Sequence, residues 1–178
     1  LYWYYINKHY FKKLGKKSFI KNPLKIDGSE NISIGEGVYI AYKTWLAAMP
    51  LTGEKECVLE IKSGCVIGNF NHIYATKKII IGNNVLTADK VYISDNIHAY
   101  ENINVPILKQ TIMAKNEVYI GDGSWLGENV CVIGATIGKN CVIGANSVVT
   151  KNIPDYSIVV GIPAKIIKRY NFENNKWE

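Results

Sequence analysis

The sequence predicts an all-β solenoid in which short parallel strands are wound into coils and stacked. Aliphatic residues recur every six positions, and a small residue often follows them, as in Ile34-Gly35, Ile67-Gly68 and Ile137-Gly138. A helix face needs spacings of three and four residues, so a spacing of six excludes an amphipathic helix. Short strands joined by tight turns fit this period, because each strand sends an aliphatic side chain inward. Such strands are too short to be stable alone, so stacked coils must build the core.

The composition fits one globular domain. The chain has 178 residues, of which 48% are hydrophobic and 20% charged. It contains no run of 18 apolar residues, which excludes a transmembrane helix, and lysines interrupt residues 1–20 where a signal peptide would need an apolar core. Residues 1–17 hold five lysines and no acid, so one unit of the net charge of +6 remains for the other residues. Since the body lacks a basic stripe, we expect no nucleic-acid partner.

The four cysteines indicate a reducing compartment. Cys57, Cys65, Cys131 and Cys141 show neither C-x-x-C spacing nor the pattern of a small secreted scaffold. A zinc site would need clustered Cys and His ligands. We therefore expect buried, reduced thiols in a cytoplasmic protein.

The repeats divide the chain into three parts. We expect a basic, aromatic segment over residues 1–25 with a short helix at 1–14, a β-helix catalytic domain over 26–153, and a capping segment over 154–178 with a helix at 163–170. Residues 47–57 and 99–117 break the period and are predicted to be loops that leave the coils. Loops on a rigid scaffold often carry function. Five asparagines are expected at corners, where Asn tolerates turn conformations: Asn83, Asn84, Asn129, Asn140 and Asn146.

The candidate chemistry lies beside the second loop. Residues 93–100 read ISDNIHAY, with His98 at the edge of the repeats and Asp95 three residues before it. Histidine is the side chain best suited to accept a proton near neutral pH, and a carboxylate can fix its tautomer. The local pattern alone leaves open whether His98 is a general base or a solvated loop residue.

This segment resembles the I-S-D-x-x-H-x-Y stretch of the acetyl-CoA-dependent sugar O-acetyltransferases among the hexapeptide-repeat acyltransferases. The resemblance implies a left-handed parallel β-helix and a homotrimer with its sites between subunits. It also implies that His98 is the general base on a sugar or glycan hydroxyl in cell-surface polysaccharide biosynthesis. Asp95 is then expected to orient His98. Asn96 stands where many relatives carry a second His.

Three further segments resemble the acetyl-CoA half of the same family. They are GSWLG at 123–127, VIGANSVVTKNIP at 142–154 and GIPAK at 161–165. The resemblance places Trp125 near the acyl group, backbone amides near the pantetheine arm, and hydroxyl and lysine side chains near the phosphates. The amides are those of Gly127, Glu128 and Ala145, and the phosphate candidates are Thr150, Lys151, Lys165 and Lys168. Acetyl-CoA is thus the expected donor, with no metal required.

Polar side chains near the same coils are candidates for contacting the acceptor. Asn71 and His72 precede His98 by about one and a half coils, and Tyr100 belongs to the motif of His98. The alternative for Asn71 and His72 is an Asn-rich turn with a solvent-facing histidine.

Other functions stay open at this point. A serine, antibiotic or amino-sugar acetyltransferase would share the mechanism, and a non-catalytic trimeric scaffold would share the fold. A γ-class carbonic anhydrase would need three histidine ligands, for which only His9, His72 and His98 are present. The basic aromatic segment 1–17 would either contact an anionic membrane surface or pack on the first coil or a neighbouring subunit.

Overall fold

The backbone winds into a β-helix with three sides. The computed structural model describes residues 9–178, and in this part of the chain the regular elements are 23 short strands and two 3₁₀ turns, at Ser29–Asn31 and Ile107–Lys109. Three sheets run along the sides, and neighbouring coils pair in parallel. The all-β prediction is therefore confirmed.

Each coil contributes one strand to each sheet, so successive strands of the chain fall on sheets 1, 2 and 3 in turn. Sheet 1 contains β1 Lys13–Leu14, β4 Ile32–Ile34, β7 Val58–Ile61, β10 Lys78–Ile81, β15 Val118–Ile120 and β18 Thr136–Ile137. Sheet 2 contains β2 Phe19–Ile20, β5 Tyr39–Ile40, β8 Val66–Ile67, β11 Leu86–Thr87, β16 Trp125–Leu126, β19 Val142–Ile143, β21 Ser157–Val160, β22 Lys165–Asn171 and β23 Lys176–Trp177. Sheet 3 contains β3 Lys25–Asp27, β6 Trp45–Ala48, β9 His72–Ala75, β12 Tyr92–Ser94, β17 Cys131–Ile133 and β20 Val148–Val149. A separate hairpin is formed by β13 Asn96–His98 and β14 Ile112–Ala114.

The core is a column of aliphatic side chains along the axis. In sheet 3, Leu46, Ile73 and Ile93 stack in register and are fully buried. In sheet 1, Leu59 and Ile79 do the same. Leu46, Ile73, Ile79 and Ile93 are residues of the six-residue period, so the repeat predicted that these side chains face inward, whereas Leu59 lies two residues before the periodic Ile61.

The corners use the left-handed backbone conformation that asparagine tolerates. Asn84, Asn129, Asn140 and Asn146 all have a positive φ, between 49° and 60°. The N–H of Asn140 donates to the carbonyl of Asp122 in the coil below, at 2.8 Å. Four of the five asparagines predicted at corners therefore have this conformation.

Both predicted terminal helices are wrong in the described part of the chain. Residues 9–25 belong to the first coil, where β1 pairs with β4 and β2 pairs with β5. Residues 1–8 of the predicted N-terminal helix lie outside the described residues. At the other end, β22 runs antiparallel to β21 and hydrogen-bonds to the open edge of sheet 2, which a helix over 163–170 could not do.

One edge of the β-helix, between sheets 3 and 1, carries both predicted loops. We call it the loop edge. Residues 49–57 leave it after β6 and return at β7, and the hairpin leaves it after β12 and returns at β15. In the next coil the chain turns this edge through Gly134, which has φ 56°. A Cβ on Gly134 would lie 2.7 Å from the Cβ of Lys115, so the close passage of the hairpin requires glycine here. The contracted spacing between Val132 and Ile137 lies at this turn.

Candidate functional site

His98 lies on the hairpin, outside the three sheets. It pairs with Ile112 of β14, and its side chain is exposed. The next residue, Ala99, donates its N–H to the carbonyl of Thr111 at 2.9 Å. Beyond it the loop is organised by Gln110, whose side-chain amide donates to the carbonyls of Asn102 (3.0 Å) and Val105 (2.8 Å). His98 is therefore presented to solvent by an internally bonded loop.

The Asp95 carboxylate does not contact His98. Its carboxylate is fully buried and accepts hydrogen bonds from the backbone N–H groups of three consecutive residues, 76–78, at 2.7–2.8 Å. The hydroxyl of Thr76 (3.0 Å) and the side-chain amide of Asn96 (3.2 Å) donate to it as well. The expectation of an Asp95–His98 contact is wrong, because both carboxylate oxygens bind the turn beneath the hairpin.

Asn71 is also internal rather than a contact for the acceptor. It is 1% exposed, and its Nδ2 lies within hydrogen-bond distance of Thr87 Oγ1 (2.8 Å) and of the carbonyls of Gly68 (3.0 Å) and Ala88 (3.1 Å). Its Oδ1 accepts the N–H of Val91. These bonds hold two coils together at a corner, which corrects the prediction that Asn71 lines an acceptor cleft.

His72 belongs to an aromatic stack on the outer face of sheet 3. Its ring lies 4.1 Å from that of Trp45 at an interplanar angle of 7°, and the rings of Tyr74 and Tyr92 are 5.9 Å and 5.2 Å away. Burial lowers the pKa of His72, and its Nε2 is buried without a hydrogen-bond partner in the described structure. Because a Trp45 ring face covers it, His72 is suited to packing as a neutral ring. Tyr100, in contrast, is 59% exposed at the start of the loop that follows His98.

The predicted acetyl-CoA residues fall into two groups on different sides of the β-helix. Thr150 lies at the loop edge, in a groove shared with Lys115, Asn116 and Gly134. Trp125 lies on the outer face of sheet 2, where it is 47% exposed between Leu86 and Val142. Sheet 2 is the side opposite the loop edge in a three-sided coil. One chain therefore does not bring Trp125 to the hairpin of His98.

The remaining predicted residues follow the same division. Lys151 is exposed beside Thr150, while Lys165 and Lys168 are exposed on β22, at the end of sheet 2. Glu128 and Ala145 are exposed at the corner between sheets 2 and 3, and the Glu128 carboxylate pairs with Lys90 at 3.2 Å.

Gly127 cannot offer its amide to a ligand. Its N–H donates to the carbonyl of Ile143 in the next coil at 2.8 Å, and a Cβ at this position would lie 2.7 Å from the backbone N of Ala145. Gly127 is therefore needed for the close approach of two coils, and the predicted contact of its amide with the pantetheine arm is wrong.

Sequence reasoning missed Lys115 and Asn116, which line the groove at the loop edge. Both lie in the stretch that breaks the six-residue period, so no repeat position marked them. The one feature of the sequence that could have indicated Lys115 and Asn116 is their position just before the six-residue period resumes at Val118.

Within residues 9–178 no group of His, Cys, Asp and Glu side chains is arranged to hold a metal ion. His72 is on the face of sheet 3 and His98 on the hairpin, while His9 lies before β1 at the start of the first coil. The three-histidine site of the carbonic anhydrase alternative is therefore not formed within this chain.

Comparisons with known proteins agree with this architecture. Residues 117–151 match the family model for the hexapeptide repeat of succinyl-transferase. The chain is 34% identical over 167 residues to WbbJ of Escherichia coli, described as an O-acetyltransferase of lipopolysaccharide biosynthesis, with 90% of this chain and 80% of WbbJ covered. It is 29% identical to the galactoside O-acetyltransferase of Lactococcus lactis, covering 92% of this chain and 66% of that protein.

Solved structures show the same fold. A maltose O-acetyltransferase from Clostridium difficile superposes with a TM-score of 0.61 at 29% identity, covering 92% of this chain and 72% of that one. The N-acyltransferase AntD of Bacillus cereus superposes with a TM-score of 0.77 at 20% identity, covering 96% and 89%. The hexad coils, the hairpin at the loop edge and the identity to WbbJ together show that the chain belongs to the hexapeptide-repeat acetyltransferases, whose fold is the left-handed parallel β-helix.

Proposed function

We propose that this protein transfers an acetyl group from acetyl-CoA to a hydroxyl of a sugar or glycan, with His98 as the general base. The observation that carries the proposal is the exposed His98 on an ordered hairpin at the loop edge, beside a groove that contains Thr150 and Lys115. The relatives named above act on galactosides and maltose or are assigned to lipopolysaccharide biosynthesis. This supports a sugar hydroxyl as the acceptor.

The reaction needs no covalent intermediate on the protein. The His98 imidazole accepts the proton of the acceptor hydroxyl as the oxygen attacks the thioester carbonyl. A backbone N–H stabilises the negative charge on the tetrahedral carbonyl oxygen. The C–S bond then breaks, and the imidazolium returns the proton to the thiolate of CoA. The buried thiols are poor nucleophiles, since burial raises the pKa of Cys57 to about 12 and that of Cys65 to about 11.

We place the acetyl-CoA site between two chains. Thr150, Lys151 and the groove at the loop edge would come from one chain, and Trp125 with the end of sheet 2 from the next. The support is topological: the two groups lie on opposite sides of one coil, so a single acetyl-CoA can contact both only across a subunit contact. Lysines at either group suit the phosphates as mobile positive charges.

A homotrimer fits this arrangement. The outer face of sheet 2 carries an in-register apolar stripe of Tyr39, Val66, Leu86 and Trp125, each 39–47% exposed. The loop after His98 carries Ile103 and Leu108, which are 93% and 90% exposed. Apolar surfaces of this kind mark interaction sites. Contact of the loop of one chain with the stripe of the next is heterologous, and a threefold rotation between the chains closes such a contact into a ring.

Light scattering tests this assembly. Leu86→Lys places a charge in the middle of the stripe, and we expect it to shift the wild-type trimer to monomers. Tyr119→Lys also replaces an exposed apolar side chain with a lysine, on the outer face of sheet 1, and should leave the trimer intact. Wild-type protein that is monomeric at micromolar concentration would contradict the assembly.

We also propose a cytoplasmic position in which residues 1–17 contact the inner membrane surface. In the described part of this segment, the lysines are exposed and none has an acidic partner in its own coil; they are Lys12, Lys13, Lys16 and Lys17. Each lysine near an anionic surface contributes about 1 kcal/mol. Within residues 9–178 no helix combines the length and apolarity needed to cross a bilayer.

Sedimentation with lipid vesicles tests the membrane contact. We expect binding to phosphatidylcholine vesicles only when they contain phosphatidylglycerol. Replacing the four lysines with glutamine should abolish it. The matched control makes the same change in charge at Lys55, Lys62, Lys139 and Lys176, and should retain binding. Equal binding by both variants would contradict a role for residues 1–17.

Release of CoA thiol tests the activity itself. Acetyl-CoA would be offered with nucleotide-linked sugars, lipid-linked oligosaccharides, serine and chloramphenicol, using wild-type protein and His98→Ala. We expect release with a glycan and a fall of about 10²–10⁴-fold in His98→Ala. Release only with serine or chloramphenicol would move the protein to another branch of the family. A fully active His98→Ala would refute the general base.

A further inference from the structure

Asp95 lies at the point where the chain leaves sheet 3 to form the hairpin. Its carboxylate accepts five hydrogen bonds, four of them from the turn at residues 76–78 in the coil below. We infer that Asp95 is the positioning residue of His98, fixing the direction of the hairpin through this turn. The inference rests on the proposed role of His98 as the base.

The hairpin depends on its root because it has little other support. It contains three residue pairs, Asn96–His98 against Ile112–Ala114, and lies outside the three sheets. A two-stranded hairpin is marginally stable alone. At its root, the carbonyl of Asp95 accepts the N–H of Lys115 at 2.7 Å, and the amide of Asn96 donates to the carbonyl of Tyr74 at 3.2 Å. Asp95 thus joins both hairpin strands to the coil below.

Small rotations at this root produce large displacements of the base. Three residues of extended chain span about 10 Å. A rotation of about 10° at Asp95 would then move His98 by about 1.7 Å, and a misplacement of about 1 Å costs on the order of 10² in rate. The position of His98 therefore requires a root that does not rotate.

The same turn has a second set of contacts, which supplies a control. Lys78 Nζ pairs with Glu117 at 3.2 Å, and Lys77 Nζ lies 3.8 Å from Glu54. All four side chains are about 40–45% exposed, so these pairs contribute little. They touch the turn from outside and do not reach the carboxylate of Asp95.

The test replaces Asp95 with asparagine, which keeps the shape but directs an NH₂ group at backbone donors. We expect kcat to fall about 10–100-fold with the KM for acetyl-CoA within two-fold of wild type. In the double variant with His98→Ala, Asp95→Asn should cause no further fall. Glu117→Gln should leave kcat unchanged. An equal effect of Asp95→Asn with and without His98, or an unchanged kcat, overturns the inference.

Amide hydrogen exchange tests the same inference without catalysis. In Asp95→Asn, peptides covering 96–114 should exchange faster while those of β15–β20 stay protected. Unchanged exchange in 96–114 overturns the positioning role whatever the reaction. A fully active His98→Ala would instead refute the proposed function and leave the exchange result standing. If Asp95→Asn does not fold, Thr76→Val can replace it, because this substitution removes the hydroxyl, one of the five groups that donate to Asp95. Exchange in residues 96–114 should then be faster than in the wild type, but by less than is expected for Asp95→Asn.

Discussion

Replacing Asn71 with alanine separates a structural role from contact with the acceptor. The substitution removes a side chain that is 1% exposed and holds four partners: Gly68, Thr87, Ala88 and Val91. The N–H of Val91 would be left buried without an acceptor, which costs about 1–3 kcal/mol, and the two hydrogens of Nδ2 make two bonds that contribute about 1 kcal/mol each. We expect a loss of about 3–5 kcal/mol in the free energy of unfolding.

Thermal melting measures this loss. For a chain of this size 1 kcal/mol shifts Tm by about 2–4 °C, so Asn71→Ala should lower Tm by roughly 6–20 °C. Asn152→Ala is the matched control, because that exposed asparagine accepts one backbone N–H, from Thr136 at 2.9 Å. Asn152→Ala should lower the free energy of unfolding by about 1 kcal/mol or less. An unchanged Tm in Asn71→Ala together with a raised KM for the acceptor would refute the structural role.

Three further outcomes are expected. Burial raises the pKa of Cys65 to about 11, above the ordinary 9.0, so the buried thiol's contribution to stability is complete below pH 9 and is lost as the pH rises. The urea concentration at the midpoint of unfolding should therefore fall above pH 9, and Cys65→Ala should make this fall smaller. Burial lowers the pKa of His72, so the neutral ring's contribution to stability is complete above pH 6.5 and is lost on acidification. His72→Phe should therefore reduce the change of the urea midpoint with pH below pH 6.5. An unaltered dependence on pH would contradict this role. Gly121→Ala should melt well below Gly37→Ala, since a Cβ on Gly121 would lie 2.3 Å from the carbonyl carbon of Gly138. A Cβ on Gly37 would meet nothing within 4 Å, so that variant bears only the strain of a φ of 64°.

The period of six predicted the coils because one aliphatic residue per strand is the minimum that a three-sided core requires. The same spacing continues into the first coil, where Leu14, Ile20 and Ile26 follow one another at six residues. The lysines and aromatics around them favoured a helix instead. At the other end, Ile166, Ile167 and Tyr170 do stand at the spacing of three and four that favours a helix. The strand forms instead because Lys165–Asn171 pairs with an edge that only the folded β-helix presents.

The internal roles of Asn71 and Asp95 follow from their positions in the repeat. Asn71 precedes the inward Ile73 by two residues, as buried Val91 precedes Ile93. Asp95 follows Ile93 by two residues, as buried Ala75 follows Ile73. Alternation along a strand therefore turns both side chains inward. Which groups would bond to them was not predictable, because most of their partners lie 16–20 residues away in neighbouring coils. His98 lies outside the repeat, and its motif alone pointed to it.

The hairpin begins and ends at almost the same point, since Asp95 and Lys115 are joined by a backbone hydrogen bond of 2.7 Å. The coils on either side pair as if it were absent, with Ile79 opposite Val118 and Leu86 opposite Trp125. Doubling the length of such an excursion costs only about 0.6 kcal/mol of chain entropy. Insertions and exchanges between residues 99 and 111 would therefore leave the scaffold intact, so the surface around His98 can change without refolding the coils.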